Sequence, residues 1–251
     1  MHGDRLPLTP APTSTWLSVS EVFGPTIQGE GPSAGRPAMF VRLGLCNLDC
    51  SWCDTPYTWD WSGKNGVAYD RTKELSRVAV DEILNRLHRD APQEVRRVIV
   101  TGGEPMVQAN AFASLVGALR SSGWHVEVET NGTLDLPEAL RDDPPQINCS
   151  PKLANSGIPY DRRIRPDVLR RLVEYGASLK FVVESEHDLD EVHKVVDLAA
   201  CPPERVWLMP QGTTRSSILA ALPDLFMLCA RRGWNLCVRL HALTFNDQRG
   251  I

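Results

Sequence analysis

The sequence predicts an α/β chain folded as an incomplete or distorted, TIM-like (β/α) barrel. Three observations carry this. Short β-branched runs recur along the chain with helical patterns between them, and that alternation implies a mostly parallel sheet. Most of the runs are bounded by Gly, Pro or Asn and followed by a polar, often Gly-containing segment, the arrangement found at the carboxyl ends of parallel strands, where barrel active sites are built. About seven strand candidates are present and the last is followed by no helical pattern, short of the eight repeats of a closed barrel.

The elements follow in order. The first fifteen or so residues are rich in Pro and Thr without periodicity and read as a mobile tail over 1–15. This leaves 16–251 as a single domain, a length that α/β barrels commonly occupy. Strands are expected at 37–43, 96–101, 125–130, 146–149, 179–183, 205–209 and 236–240. Between them, Val78, Ile83, Leu84 and Leu87 fit one helix face, as do Phe112, Leu115, Val116 and Leu119, and then Val192, Val195 and Val196. The stretch from Thr55 to Arg77, with Trp59, Trp61, Gly63, Asn65 and Gly66, breaks the rhythm and reads as a long functional loop or insertion. Its tryptophans either line a pocket or anchor the insertion by burial.

Composition narrows the function. With 42% hydrophobic and 23% charged residues the chain can bury a sizeable core. A net charge of −4 provides no bulk field for nucleic acid or an anionic membrane, so a small-molecule partner is expected. No apolar run is long enough to span a bilayer, and the start has neither a basic nor an apolar signal region, which predicts a cytoplasmic protein. Seven cysteines is an odd count. Cys46, Cys50 and Cys53 crowd into one short segment while Cys149, Cys201, Cys229 and Cys237 are scattered as small core residues, a pattern of a metal site in a reducing compartment.

The C-x3-C-x2-C segment Cys46-Asn-Leu-Asp-Cys50-Ser-Trp-Cys53 follows the first expected strand. Three thiolates can hold three corners of a [4Fe–4S] cube and leave the fourth iron open to a chelating ligand. A structural zinc site completed by His88 or His125 is the competing reading, although no second CxxC pair is present.

The spacing, together with Gly102-Gly103-Glu104-Pro105, resembles the radical S-adenosylmethionine superfamily, which implies a six-stranded (β/α)6 partial barrel, a [4Fe–4S] cluster on Cys46, Cys50 and Cys53, and S-adenosylmethionine as cofactor. A strand-end carboxylate at Glu104 and open backbone at Gly102 and Gly103 suit the amino group of the methionine moiety. Further segments, among them Glu21 to Gly31, Phe40 to Leu43, Trp52 to Thr55, Glu129 to Thr133, Ser150 to Leu153, Lys180 to Val182 and Arg249-Gly250, resemble the 7-carboxy-7-deazaguanine synthase family. That resemblance implies a lyase that contracts the ring of 6-carboxy-5,6,7,8-tetrahydropterin to 7-carboxy-7-deazaguanine with loss of ammonia, on the route to queuosine, begun by a 5′-deoxyadenosyl radical.

Carried over position by position, the resemblance assigns S-adenosylmethionine to Trp52, Cys53, Asp54, Gly103, Glu104, Ser150, Pro151 and Lys152, with Met209, Pro210, Gln211 and Gly212 as a further stretch. It assigns Mg2+ to Thr55, and the pterin to Ile27, Gln28, Gly29, Arg42 and Thr101, with the terminal carboxylate of Ile251 within reach of the site. Arg42 can pair with a carboxylate in bidentate fashion. No catalytic side chain is assigned, because the radical is generated on the cofactor. A flavodoxin- or ferredoxin-type electron donor and a homodimer that covers the open sheet edges complete the expectation. The family's C-terminal pattern departs here at Phe245, Asn246 and Asp247. Two other readings remain: a radical activase acting on a partner protein, and a non-catalytic iron–sulfur redox module.

Overall fold

The computed structural model describes residues 15–251, so the expected tail lies, apart from Thr15, outside the described residues. Nine strands form one sheet: β1 (Trp16–Ile27), β2 (Pro37–Leu43), β3 (Ser76–Ala79), β4 (Arg97–Gly102), β5 (His125–Thr130), β6 (Gln146–Cys149), β7 (Ser178–Val183), β8 (Val206–Pro210) and β9 (Asn235–Leu236). Among the described residues the order is β3-β1-β2-β4-β5-β6-β7-β8-β9, with both outer strands unpaired on one side, so the sheet is open. From β2 to β9 every pairing is parallel, and β1 runs antiparallel to β2 and β3. The six strands β2, β4, β5, β6, β7 and β8 are the expected six-stranded core of an incomplete, TIM-like barrel.

Among the described residues eight α-helices accompany the sheet: α1 (Arg71–Glu74), α2 (Val80–Asp90), α3 (Ala109–Ser121), α4 (Tyr160–Arg163), α5 (Pro166–Glu174), α6 (Leu189–Ala199), α7 (Arg215–Arg232) and α8 (Leu240–Phe245). Their spacing explains their packing. Phe112, Leu115, Val116 and Leu119 put one face of α3 into the core, and Val192, Val195, Val196 and Ala199 do so on α6. Pro166 opens α5, where its missing N–H costs nothing. Thr214 and Ser217 form a reciprocal capping box at the start of α7, and Gly233 ends that helix in the left-handed conformation.

Side-chain alternation separates a dry layer from a polar lumen. Val98 and Val100, Val126 and Val128, Ile147 and Cys149, and Leu179, Phe181 and Val183 belong to the hydrophobic core under the helices. The residues between them point the other way. Arg97, Glu127 and Asn148 form a floor, Arg97 pairing with Glu127, and Asn148 Nδ2 donating to Glu127 Oε2 at 3.0 Å. Thr101, Glu129 and Lys180 stand nearer the carboxyl ends and line the cavity there, with Arg42 of β2.

Three expectations change. The long strand β1 is not among the expected strands; it carries bulges between Val19 and Glu21 and between Phe23 and Thr26, around the Gly24-Pro25 step. Val78 lies on β3 opposite Leu17, not on a helix; α2 begins at Val80. The last strand stops at Leu236, and α8 follows from Leu240 instead of no helix, since Cys237 and Arg239 turn toward the Glu30 segment. The stretch 237–251 reaches back to β1: Leu240 N–H donates to Gly29 O at 3.1 Å, and Arg249 pairs with Glu21. Among the described residues no helix is long and apolar enough to cross a membrane.

Candidate active site

The cysteine loop begins where β2 ends, and β4 runs directly against it. Gly103 N–H donates to Leu43 O at 3.0 Å and Glu104 N–H to Leu45 O at 2.8 Å. A Cβ on Gly102 would lie 2.0 Å from Leu43 O, and one on Gly103 would lie 1.9 Å from Leu45 O. Both obstacles are backbone, so the glycine pair is what lets the two strand ends meet.

Cys46, Cys50 and Cys53 are free thiols that line one cavity, packed with Leu48 and Ile158. Burial pushes the Cys46 thiol up to about 12 and raises Cys50 and Cys53 as well; only for Cys50 does a nearby cation, Lys152, count against it. A cationic metal group bound at this loop would favour the thiolate form against that burial. Among the described residues no three His, Cys, Asp or Glu side chains converge on a single metal ion. His88 accepts from Trp124 Nε1 at 3.2 Å, and His125 starts β5 beside Gln146, at the opposite end of the strands from the cysteine loop. The zinc alternative lacks its fourth ligand, whereas three thiols facing a cavity fit a cluster with one open iron.

The neighbouring insertion braces this loop. Trp59 Nε1 donates to Cys53 Sγ at 3.3 Å, and Asn65 Nδ2 donates to Cys50 O at 3.0 Å. Lys64 pairs with Asp49. Asp60, buried, folds the turn by accepting from the backbone of Ser62, Gly63, Lys64 and Asn65.

Most expected site residues share the same cavity. Trp52, Asp54, Thr55, Gly103, Ser150, Lys152 and Met209 line it beside the cysteines, and Arg42 and Thr101 line it from the strand ends. Lys152 Nζ sits 5.6 Å above the Trp52 ring and donates to Ser150 Oγ at 3.1 Å, while Trp52 Nε1 donates to Asn155 Oδ1 at 3.2 Å. Thr55 Oγ1 lies 3.8 Å from Cys53 Sγ.

Others are displaced from it. The Glu104 carboxylate is fully buried and accepts from Met106 N, Asn131 N and Thr130 Oγ1. In this position it caps the turn after β4. Gln28 is buried and donates to Glu129 Oε1 at 3.4 Å, and Gly29 packs against His241. Ile27 turns outward, 44% exposed. Pro151, Pro210, Gln211 and Gly212 are absent from the cavity wall; Gly212 instead offers its carbonyl to Arg239 at 2.7 Å. Ile251 is half-buried and also off that wall.

An ion network that no sequence motif announces lies on the same cavity wall. Glu30 pairs with Lys180, accepts from Arg239 Nε at 2.9 Å, and lies 3.8 Å from His241 Nε2. Burial pushes the Glu30 carboxyl up, but Lys180 and Arg239 more than offset it and hold it well below the ordinary carboxylate range. Arg239 continues to Asp54, and Lys180 to Glu129, which also accepts from Thr101 Oγ1 at 2.7 Å. Arg42 stands apart: its buried Nε has no hydrogen-bond partner, and Glu21 lies 3.8 Å away. Such a guanidinium is poised to take an anion. A lone lysine inside the apolar run Leu179–Val183 was the available signal for the network; Arg239 gave none.

Comparison with known proteins agrees with this arrangement. The model of the Radical SAM superfamily matches residues 41–207. A 7-carboxy-7-deazaguanine synthase of Rhodopirellula baltica is 32% identical over 260 residues, spanning 99% of this chain and 94% of that protein. One of Pyrobaculum aerophilum is 35% identical over 237 residues, 93% of this chain and 97% of that protein. The crystal structure of QueE from Escherichia coli superposes with a TM-score of 0.67 at 26% identity, covering 88% of this chain and 92% of that one. From the cysteine loop, the glycine pair and these relatives together, the chain belongs to the 7-carboxy-7-deazaguanine synthase family of the radical SAM superfamily.

Proposed function

We propose that this chain converts 6-carboxy-5,6,7,8-tetrahydropterin to 7-carboxy-7-deazaguanine with release of ammonia. The observation that carries the reading is the opening of the three-cysteine loop onto the same cavity that Arg42 lines, a guanidinium whose Nε makes no hydrogen bond within the protein. Cys46, Cys50 and Cys53 would hold a [4Fe–4S] cluster. With S-adenosylmethionine, that group supplies a 5′-deoxyadenosyl radical, and the protein's part is binding, orientation and shielding.

Trp52, Cys53, Asp54, Gly103, Ser150, Lys152 and Met209 form the wall proposed for S-adenosylmethionine, with Glu104, Pro151, Pro210, Gln211 and Gly212 adjoining these residues in sequence. Arg42 receives the pterin carboxylate. Thr101 and Gln28, both bonded to Glu129, fix that carboxylate side chain so that its oxygens face the heterocycle's donors; Gly29 and Ile27 shape the edge. Thr55 offers a hard oxygen for Mg2+, and the terminal carboxylate of Ile251 is the remaining group assigned to the substrate.

A low-potential flavodoxin or ferredoxin would deliver the electron, and pairing of two copies would cover the sheet edges. Free thiols throughout fit a reducing, cytoplasmic setting.

The test is anaerobic reconstitution with iron and sulfide, reduction, and incubation with S-adenosylmethionine and the pterin, with and without Mg2+, followed by mass spectrometry. Formation of 7-carboxy-7-deazaguanine establishes the activity. Release of 5′-deoxyadenosine alone leaves a radical enzyme with another substrate, and neither product refutes the reading. Gel filtration that finds only monomer removes the dimer.

A further inference from the structure

Among the described residues, Cys53 alone of the three loop cysteines receives a hydrogen bond from a strong side-chain donor, Trp59 Nε1 at 3.3 Å. The indole is locked in place. Trp59 N–H donates to Pro56 O at 3.0 Å, Thr58 N–H to Thr55 O at 3.0 Å, and Leu45 N–H to Thr58 O at 2.8 Å, tying the residue to both ends of the cysteine loop. On its other side the Asp60 turn is fixed by the backbone donors of Ser62, Gly63, Lys64 and Asn65, and Asn65 in turn holds Cys50 O. Indole N–H is a donor only, and it has no other partner here. If burial were the whole purpose of Trp59, nothing would require its nitrogen to face a thiol sulfur.

We infer that Trp59 is a positioning residue that tunes the cluster, its N–H bond to Cys53 Sγ raising the reduction potential of the bound [4Fe–4S] group. This deepens the proposed function and rests on it. A single electron added from an external low-potential donor increases negative charge on the cysteine sulfurs. A fixed N–H dipole aimed at one sulfur therefore favours the reduced form over the oxidised one, by the same outer-sphere hydrogen bonding that sets cluster potentials generally. The insertion that follows the cysteine loop thus acquires a task beyond burial: it carries the donor and fixes its angle.

The experiment is a redox titration of reconstituted full-length protein, wild type against Trp59→Phe, with the reduced cluster read by electron paramagnetic resonance and iron counted per chain. Phe keeps an aromatic ring and removes the N–H. The expected result is equal iron content and a potential shifted negative, the reduced-to-oxidised ratio at a fixed solution potential falling about tenfold, or ~59 mV for one electron. Coincident titration curves at equal iron content overturn the inference. Where Phe loads no cluster, benzothienylalanine at the same position, which keeps the bicyclic shape and replaces N–H by sulfur, decides between the same two results. Wild-type protein that takes up no iron overturns the cysteine-site reading itself, and the inference with it.

Discussion

The guanidinium carbon of Arg249 lies 3.7 Å from the centroid of the Tyr57 ring, and its nitrogens bond Glu21 on β1 and Glu74 on α1. One side chain near the end of the sequence thereby touches the first strand and both ends of the insertion. Partly exposed ion pairs and cation–π contacts are each worth little, so Arg249→Ala should lower global stability by no more than about 1 kcal/mol. Its effect should be local: hydrogen exchange at residues 246–251 should speed up, with the melting temperature nearly constant. Exchange that stays slow shows that the segment is held by something else.

Glu30 is the opposite case. It is buried between Lys180 and Arg239, and removing one member of a buried ionic cluster leaves uncompensated charge. Glu30→Gln should cost about 3–5 kcal/mol in urea unfolding. Glu30→Gln combined with Arg239→Met should cost less than the sum of the two single changes; strict additivity would mean that the two side chains do not act as a pair.

His241 gives the network a pH signature. Burial lowers its pKa from the ordinary 6.5, against the pull of Glu30, Asp54 and Glu129 and with the help of Arg239. The folded protein therefore keeps the ring neutral while the unfolded chain takes up the proton first. Stability from this group is complete above about pH 6.5 and is lost as the pH falls from there toward the lower folded value. The urea midpoint should drop through that window, and His241→Gln should flatten the drop. Glu30, whose carboxyl is also depressed, adds a second loss at lower pH, below the ordinary 4.5.

The glycines separate strain from propensity. Gly103→Ala places a methyl into the carbonyl of Leu45 and should reduce both stability and S-adenosylmethionine cleavage. Gly117, within α3, has nothing within 4 Å of an added Cβ, so Gly117→Ala should stabilise by about 0.5–1 kcal/mol without touching activity. Thermal melts and cleavage assays on the two variants check both.

Local pattern revealed what local forces decide. The apolar runs of β5 and β6 match their strands residue for residue, and α3 and α6 bury the faces their spacing predicts. β1 was hidden because its long antiparallel pairing is bulged around a Gly-Pro step, and Val78 was read into a helix because one strand residue just before a helix mimics its first apolar position. The cysteines and glycines were legible since their neighbours in space are near in sequence or lie in compact motifs. At Glu104 a cap and a ligand ask for the same carboxylate at the same strand end, so local pattern does not separate the two roles. Arg239 was invisible: Glu30 is 209 residues away and Asp54 is 185.

That separation bears on how the protein is made. At roughly 5–20 residues per second of synthesis, Glu30 precedes Arg239 out of the ribosome by about 10–40 s. Lys180 emerges in between, 150 residues after Glu30. A growing chain can lay down β1, β2 and β4 to β8 in turn, yet through that interval its central carboxylate has at most one of its two cations. A transcript cut short after β8 would encode nearly the whole sheet and still yield a product with a charge imbalance at its centre, open to the cell's proteases before it could compete for iron.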